Sequence, residues 1–147
     1  MPDQADRTPP RASSEALLEL AAKEQRGKLK VFLGMAPGVG KTFAMLSAAR
    51  SAKAEGRDVV VGVVETHGRS ETAALVEGLE VIPRRMVPYR NRVLMEFDID
   101  AAIERRPDLL LVDEFAHTNA PSLVHAKRYQ DVEGVLQAGI DVWTTVN

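Results

Sequence analysis

The sequence predicts an α/β fold, a parallel sheet of at least four strands flanked by helices, and three observations predict it. Apolar runs at Leu29 to Leu33, Asp58 to Val64, Leu109 to Val112 and Asp141 to Val146 alternate with segments of helical periodicity. The second run, DVVVGVV, is almost unbroken in its apolar character, as a parallel strand covered on both faces requires. The first run feeds a glycine-rich turn that opens directly into a helix, VFLGMAPGVGKT from Val31 to Thr42.

Residues 1–12 offer almost nothing to bury and are expected to form a disordered leader, with the domain running from residue 13 to 147. Ser13 or Ser14 is expected to cap a short helix with an apolar stripe of Leu17, Leu18, Ala21 and Ala22, ended by Gly27 and packed on the flank of the domain. The first strand and the glycine loop follow. A helix from about Lys41 to Glu55 would turn Phe43, Met45, Leu46, Ala49 and Ala52 to the sheet and stop at Gly56. After the second strand comes a dense polar loop, Glu65-Thr66-His67-Gly68-Arg69, and then a helix, SETAALVEGL, capped by Ser70. From Glu80 to Phe97 the pattern weakens into a hairpin or an irregular excursion carrying Arg84, Arg85, Arg90 and Arg92, a partner surface or a source of a phosphate-facing guanidinium. Asp98 caps a helix that stops before Pro107. A further helix from about Lys127 to Gln137 would face Tyr129, Val132, Val135 and Leu136 inward, and the last strand leads to Asn147, where the sequence reads as a fragment cut at a binding-edge loop.

The glycine loop specifies its own chemistry. A β-phosphate needs several converging backbone N–H donors, and Pro37, Gly38, Val39 and Gly40 form the turn that would supply them. The helix N-terminus adds unpaired amides and partial positive charge. Lys41 would bridge the β- and γ-phosphates, and the hydroxyl of Thr42 would be a ligand of Mg2+. The strict pattern GxxxxGK[ST] puts a glycine where this chain has Met35, with Gly34 one step earlier, so the loop is a Walker A element in chemistry and a variant in pattern. About seventy residues on, the run LLLV ends in Asp113 and Glu114, a Walker B element. Asp113 would hold the Mg2+, and Glu114 would orient and deprotonate an attacking water. Ligands of a parallel α/β sheet bind outside the carboxyl ends of its strands, which brings Glu65 and its loop to the same edge as Lys41. His117, followed by Thr118 and Asn119, stands where a γ-phosphate sensor could sit. The fold expected is therefore of P-loop NTPase type, and the Asp113-Glu114 pair favours a RecA-like strand order.

Composition narrows the remaining classes. Charged residues are 27%, apolar residues 45% and the net charge is −2, so no global basicity suggests nucleic acid. There is no cysteine, which excludes disulfides, Cys-ligated zinc and thiol chemistry. No run approaches the roughly 18 apolar residues of a membrane span. No HExxH spacing suggests a metal cage, and no NKxD sequence suggests guanine specificity.

Three stretches, GKLKVFLGMAPGVGKT, VVETHGRSETAALVEGLEVIPRR and LLLVDEFAHTNAPS with the later AGIDVWTTVN, resemble the N-terminal domain of the KdpD family of sensor histidine kinases. The resemblance covers about residues 27 to 147. It implies a cytoplasmic, ATP-binding regulatory domain of a membrane-anchored kinase in a two-component system that controls potassium uptake. Its nucleotide site would fall on Gly38, Gly40, Lys41 and Thr42 with Asp113 and Glu114, and its partners would be the remaining kinase domains and, through them, a response regulator. Where the family usually has a small residue, this chain has Met35. It also has no histidine in a histidine-box helix, so it would not itself be a histidine kinase. The alternative reading is an autonomous P-loop ATPase or a small-molecule phosphotransferase, and a third is an interaction module with a vestigial loop.

Overall fold

The computed structural model describes residues 10–34 and 40–146. In chain order it contains α1 (Pro10–Gln25), β1 (Leu29–Leu33), α2 (Lys41–Ala54), β2 (Val59–Val63), α3 (Ser70–Val76), β3 (Glu80–Val81), β4 (Arg85–Tyr89), β5 (Arg92–Glu96), α4 (Ile99–Arg105), β6 (Leu109–Val112), α5 (Arg128–Gln137) and β7 (Asp141–Val146). Five strands form one sheet in the order β1-β7-β6-β2-β3, every pairing parallel, and β4 and β5 form a separate antiparallel hairpin. The fold is α/β, as the alternation of elements predicts, and the segment from residue 80 to 97 resolves into β3 and the hairpin.

Period-2 alternation divides the core. Leu109 and Leu111 join Val59 and Val61 against Met45, Leu46, Ala49 and Ala52 of α2, with Leu75 and Val76 of α3 alongside. Leu110 and Val112 join Val60, Val63 and Val142 on the other face, against Ala102 of α4 and Val132, Val135 and Leu136 of α5. Each fully buried Leu or Val adds about 1.5–3 kcal/mol relative to exposure, so strands β2 and β6 need helices on both faces. Gly62 sits inside β2 because Phe97 lies across it: a Cβ there would stand 2.7 Å from the Phe97 ring and 3.2 Å from Leu111 O. Asp98 caps α4 as expected, accepting from the Ala101 N–H at 3.0 Å.

Several sequence expectations change. Residues 10–12 belong to α1, since proline suits a first helical turn, while residues 1–9 of the expected leader lie outside the described residues. Ser13 and Ser14 therefore fall inside this helix instead of capping it. Leu17, Leu18 and Leu20 are 65%, 70% and 56% exposed instead of packed on the flank. Just past the end of α1, Arg26 pairs with Glu133 at 2.6 Å and the Gly27 N–H donates to Leu136 O at 2.8 Å. Ser70 is the first residue of α3, with Arg69 at the cap position and no side-chain cap. That helix ends at Val76, because Glu77 is extended and Gly78 takes positive φ. Phe43 stays half exposed, since α2 lies over β7 and the edge strand β1 and finds only partial cover there. Tyr129 is also half exposed, its ring 6.1 Å from that of Phe115, and Arg128 takes the inward place.

Candidate functional site

Parallel register sets the ends of β2, β6 and β7 on one edge, and α2 begins at that same edge after the loop from β1. A cleft of about 180 Å³ opens there, lined by Gly40, Lys41 and Thr42 at the start of α2, the loop from Glu65 to Arg69, Thr72 of α3, Asp113, Glu114, and Thr145 of β7. Lys41 folds back across Gly34, where a Cβ would stand 2.9 Å from its Cγ, so the bare Gly34 gives this lysine its path. Pro37, Gly38 and Val39, with Met35, lie outside the described residues.

Asp113 is the hub. Its carboxylate is 1% exposed and accepts from the Thr42 hydroxyl, 3.0 Å from Oδ2 and 3.2 Å from Oδ1, and from the Glu65 N–H at 3.0 Å. The Thr145 hydroxyl donates to its Oδ1 and accepts from the Glu114 N–H at 3.0 Å. Glu114 follows at φ 56°, a left-handed conformation that is uncommon outside glycine and costs on the order of 1 kcal/mol. Its carboxylate reaches into the cleft, where Oε1 lies 3.2 Å from His67 Nε2, and His67 is itself at φ 51°. Glu65 pairs with Arg84 at 2.9 Å, and Arg84 also donates to Val64 O at 2.8 Å. Of the four arginines of the weak segment, Arg84 thus braces the loop from outside the cleft.

Beneath the cleft lies a second layer. Arg128 is 2% exposed and donates to the Asp113 carbonyl at 2.9 Å; its counter-charge is Glu96, 3.7 Å away and 3% exposed. Burial pushes the Arg128 guanidinium below its ordinary value, while the charge of Glu96, and then those of Glu114 and Glu65, work against that shift. His117 belongs to this layer. Its Nε2 is 2.8 Å from Glu96 Oε1, and it does not line the cleft. Asn119 is likewise engaged with His125 O and Asp131, and Thr118 with Lys127.

The structure thus brings together Gly40, Lys41, Thr42, Glu65, Asp113 and Glu114, and sets His117 apart. Sequence reading passes over Thr145 and Arg128. Thr145 carries a weak signal, a hydroxyl near the end of a strand on the binding edge; Arg128 reads as an ordinary surface residue at a helix start.

Residues 25–147 match the sequence profile of the family described as "Osmosensitive K+ channel His kinase sensor domain", KdpD. The chain belongs to the KdpD family. It is 58% identical to a "Sensor protein KdpD" of Escherichia coli K12 over 139 residues, 95% of this chain and 16% of that protein. To the protein of that name from Rathayibacter rathayi it is 58% identical over 119 residues, 80% of this chain and 14% of the relative. The corresponding protein of Mycobacterium tuberculosis H37Rv is 54% identical over 123 residues, 84% of this chain and 14% of the relative. The chain therefore spans about a sixth or less of the length of these KdpD relatives. Among the described residues no helix is long and apolar enough to cross a membrane.

Proposed function

We propose that the chain is the ATP- and Mg2+-binding regulatory input domain of a KdpD-type sensor histidine kinase, in a two-component system controlling potassium uptake. The observation that carries the reading is the meeting of Thr42 and Asp113, whose oxygens lie 3.0 and 3.2 Å apart at the mouth of a cleft that also holds Lys41. One hydroxyl and one buried carboxylate are hard oxygen donors of the kind that hold Mg2+ together with substrate phosphates and water. The donor set, a hydroxyl beside a carboxylate, suits an ion whose remaining ligands come from phosphate and water. Bound Mg2+ would neutralise phosphate charge. The chain's own part is to hold that charge in place: Lys41 on the β- and γ-phosphates, the Thr42–Asp113 pair at the ion, and Glu114 towards a water. The position of β7 between β1 and β6 is compatible with a RecA-like order.

The family match and the sensor-protein relatives support a place within a sensor kinase; its other domains and, through them, a response regulator would be the partners, on the cytoplasmic side. A regulatory site needs its bound and free states to differ and does not need rapid turnover. The contact of Glu114 with His67 favours this reading over an autonomous ATPase, because a water base must first be released from it.

Calorimetric titration of ATP with Mg2+ into the chain and into Lys41→Ala tests the reading. Saturable binding that the substitution weakens tenfold or more, about 1.4 kcal/mol, is expected, with phosphate release slow or undetectable. Absence of binding by the unsubstituted chain would overturn it, and rapid release would favour the autonomous ATPase.

A further inference from the structure

Resting on the nucleotide reading and deepening it, we propose that Arg69 is the specificity residue of the cleft, the group that distinguishes a nucleoside triphosphate from a diphosphate. The arginines around it are committed elsewhere. Arg84 is held by Glu65 and Val64 O, Arg128 by the Asp113 carbonyl, and Arg50 by Leu75 O and Glu77 O. Among the arginines whose side chains are described, only Arg69 and Arg92 lack a polar or ring partner, and Arg92 is on the hairpin strand β5, away from the cleft that Arg69 lines.

The backbone of Arg69 is fixed while its side chain is not. The Glu65 N–H on Asp113 at 3.0 Å anchors the start of the loop, the His67–Glu114 contact at 3.2 Å its middle, and the Arg69 N–H on Thr66 O at 3.0 Å its end. Arg69 O then accepts from the Ala73 N–H at 3.0 Å, which joins it to α3. Its Cα is therefore set relative to the carboxylates Asp113 and Glu114, and a long cationic arm remains to swing into the cleft.

Charge in the cleft calls for such an arm. Among the described residues its walls carry the carboxylates Glu65, Asp113 and Glu114 and two permanent cations, Lys41 and Arg69. Lys41, as a compact cation, would serve the bridge between the β- and γ-phosphates. The outer γ-oxygens still need donors, and a planar guanidinium presents two parallel N–H bonds to a phosphate edge. A diphosphate has no group at that place. The same loop touches Glu114 through His67, so the terminal phosphate would be sensed by the segment that also holds the candidate water base.

The test is calorimetric titration of MgATP and of MgADP into the full chain, into Arg69→Ala and into Arg92→Ala, the last removing an equally unpaired arginine off the cleft. Arg69→Ala is expected to weaken MgATP about tenfold and MgADP less than twofold, while Arg92→Ala changes neither. Equal losses for the two nucleotides, or no loss for either, would overturn the assignment of Arg69. Failure of the unsubstituted chain to bind either nucleotide would instead refute the nucleotide site itself, and this assignment with it.

Discussion

Arg105 and Arg128 occupy opposite ends of the sheet and opposite electrostatic regimes. Arg105, at the amino ends of the strands, forms two bonds to Asp58 at 2.8 Å and two to Glu80 at 2.7 and 3.0 Å, in solvent. These bonds, those to Glu80 first and then those to Asp58, hold its guanidinium above the ordinary value. Arg128, at the carboxyl ends, is buried, and burial drives its guanidinium the other way. Its Nε has no hydrogen-bond partner among the described residues. The exposed cluster is well satisfied and clips α4 to β2 and β3. The buried one is incompletely satisfied and costly to desolvate, so stability alone does not account for it. What distinguishes it is position: it supports the carbonyl of Asp113.

The largest expected effect lies in the buried cluster. Glu96→Gln keeps the shape of the side chain and leaves the Arg128 cation without its counter-charge, which should cost about 3 kcal/mol, read as a lower urea midpoint at unchanged slope. A loss no larger than that of an exposed ion pair would erase the distinction between the two clusters.

The smallest effect lies at Arg105, and its sign follows from linkage. Arg105 holds Asp58 and Glu80 below their ordinary values of 3.8 and 4.5, chiefly through its hydrogen bonds. As pH falls through that range the unfolded chain therefore takes up more protons than the native one. The contribution to stability is complete above the ordinary values and is lost as pH falls through the lowered native ones. The urea midpoint of Arg105→Ala should lie below that of the unsubstituted chain at pH 7, and the gap should narrow as pH falls below the ordinary values of the two carboxyls and close once both are protonated in the native chain. A gap that persists in acid would assign the role of Arg105 to packing.

What was legible in the sequence follows the same division between local and distant causes. The strands β2 and β6 announced themselves because burial on both faces demands continuous apolar residues, and Thr42, Asp113 and Glu114 because strand, turn and helix order fixes where such groups stand. The loop from Glu65 to Arg69 was legible as polar groups at a strand end. His117 was misleading: proximity in sequence to Asp113 and Glu114 suggested the cleft, but the left-handed turn at Glu114 is followed by a course that lays the imidazole on Glu96. Glu96 and Arg128 could not be paired from the sequence, since one stands at the end of β5 and the other at the start of α5, and they meet only in the folded chain. Nor does helical periodicity tell whether a stripe has a partner, as the exposed leucines of α1 illustrate.

The most direct measurement is the Mg2+ dependence of ATP affinity, with magnesium and with chelator, in the unsubstituted chain and in Thr42→Ala. If Thr42 and Asp113 together complete a metal site shared with the nucleotide, magnesium should tighten binding to the unsubstituted chain, and most of that gain should vanish in Thr42→Ala while metal-free affinity stays nearly the same. A magnesium gain left intact by Thr42→Ala would contradict the account, showing that the hydroxyl 3.0 Å from Asp113 is a structural contact only.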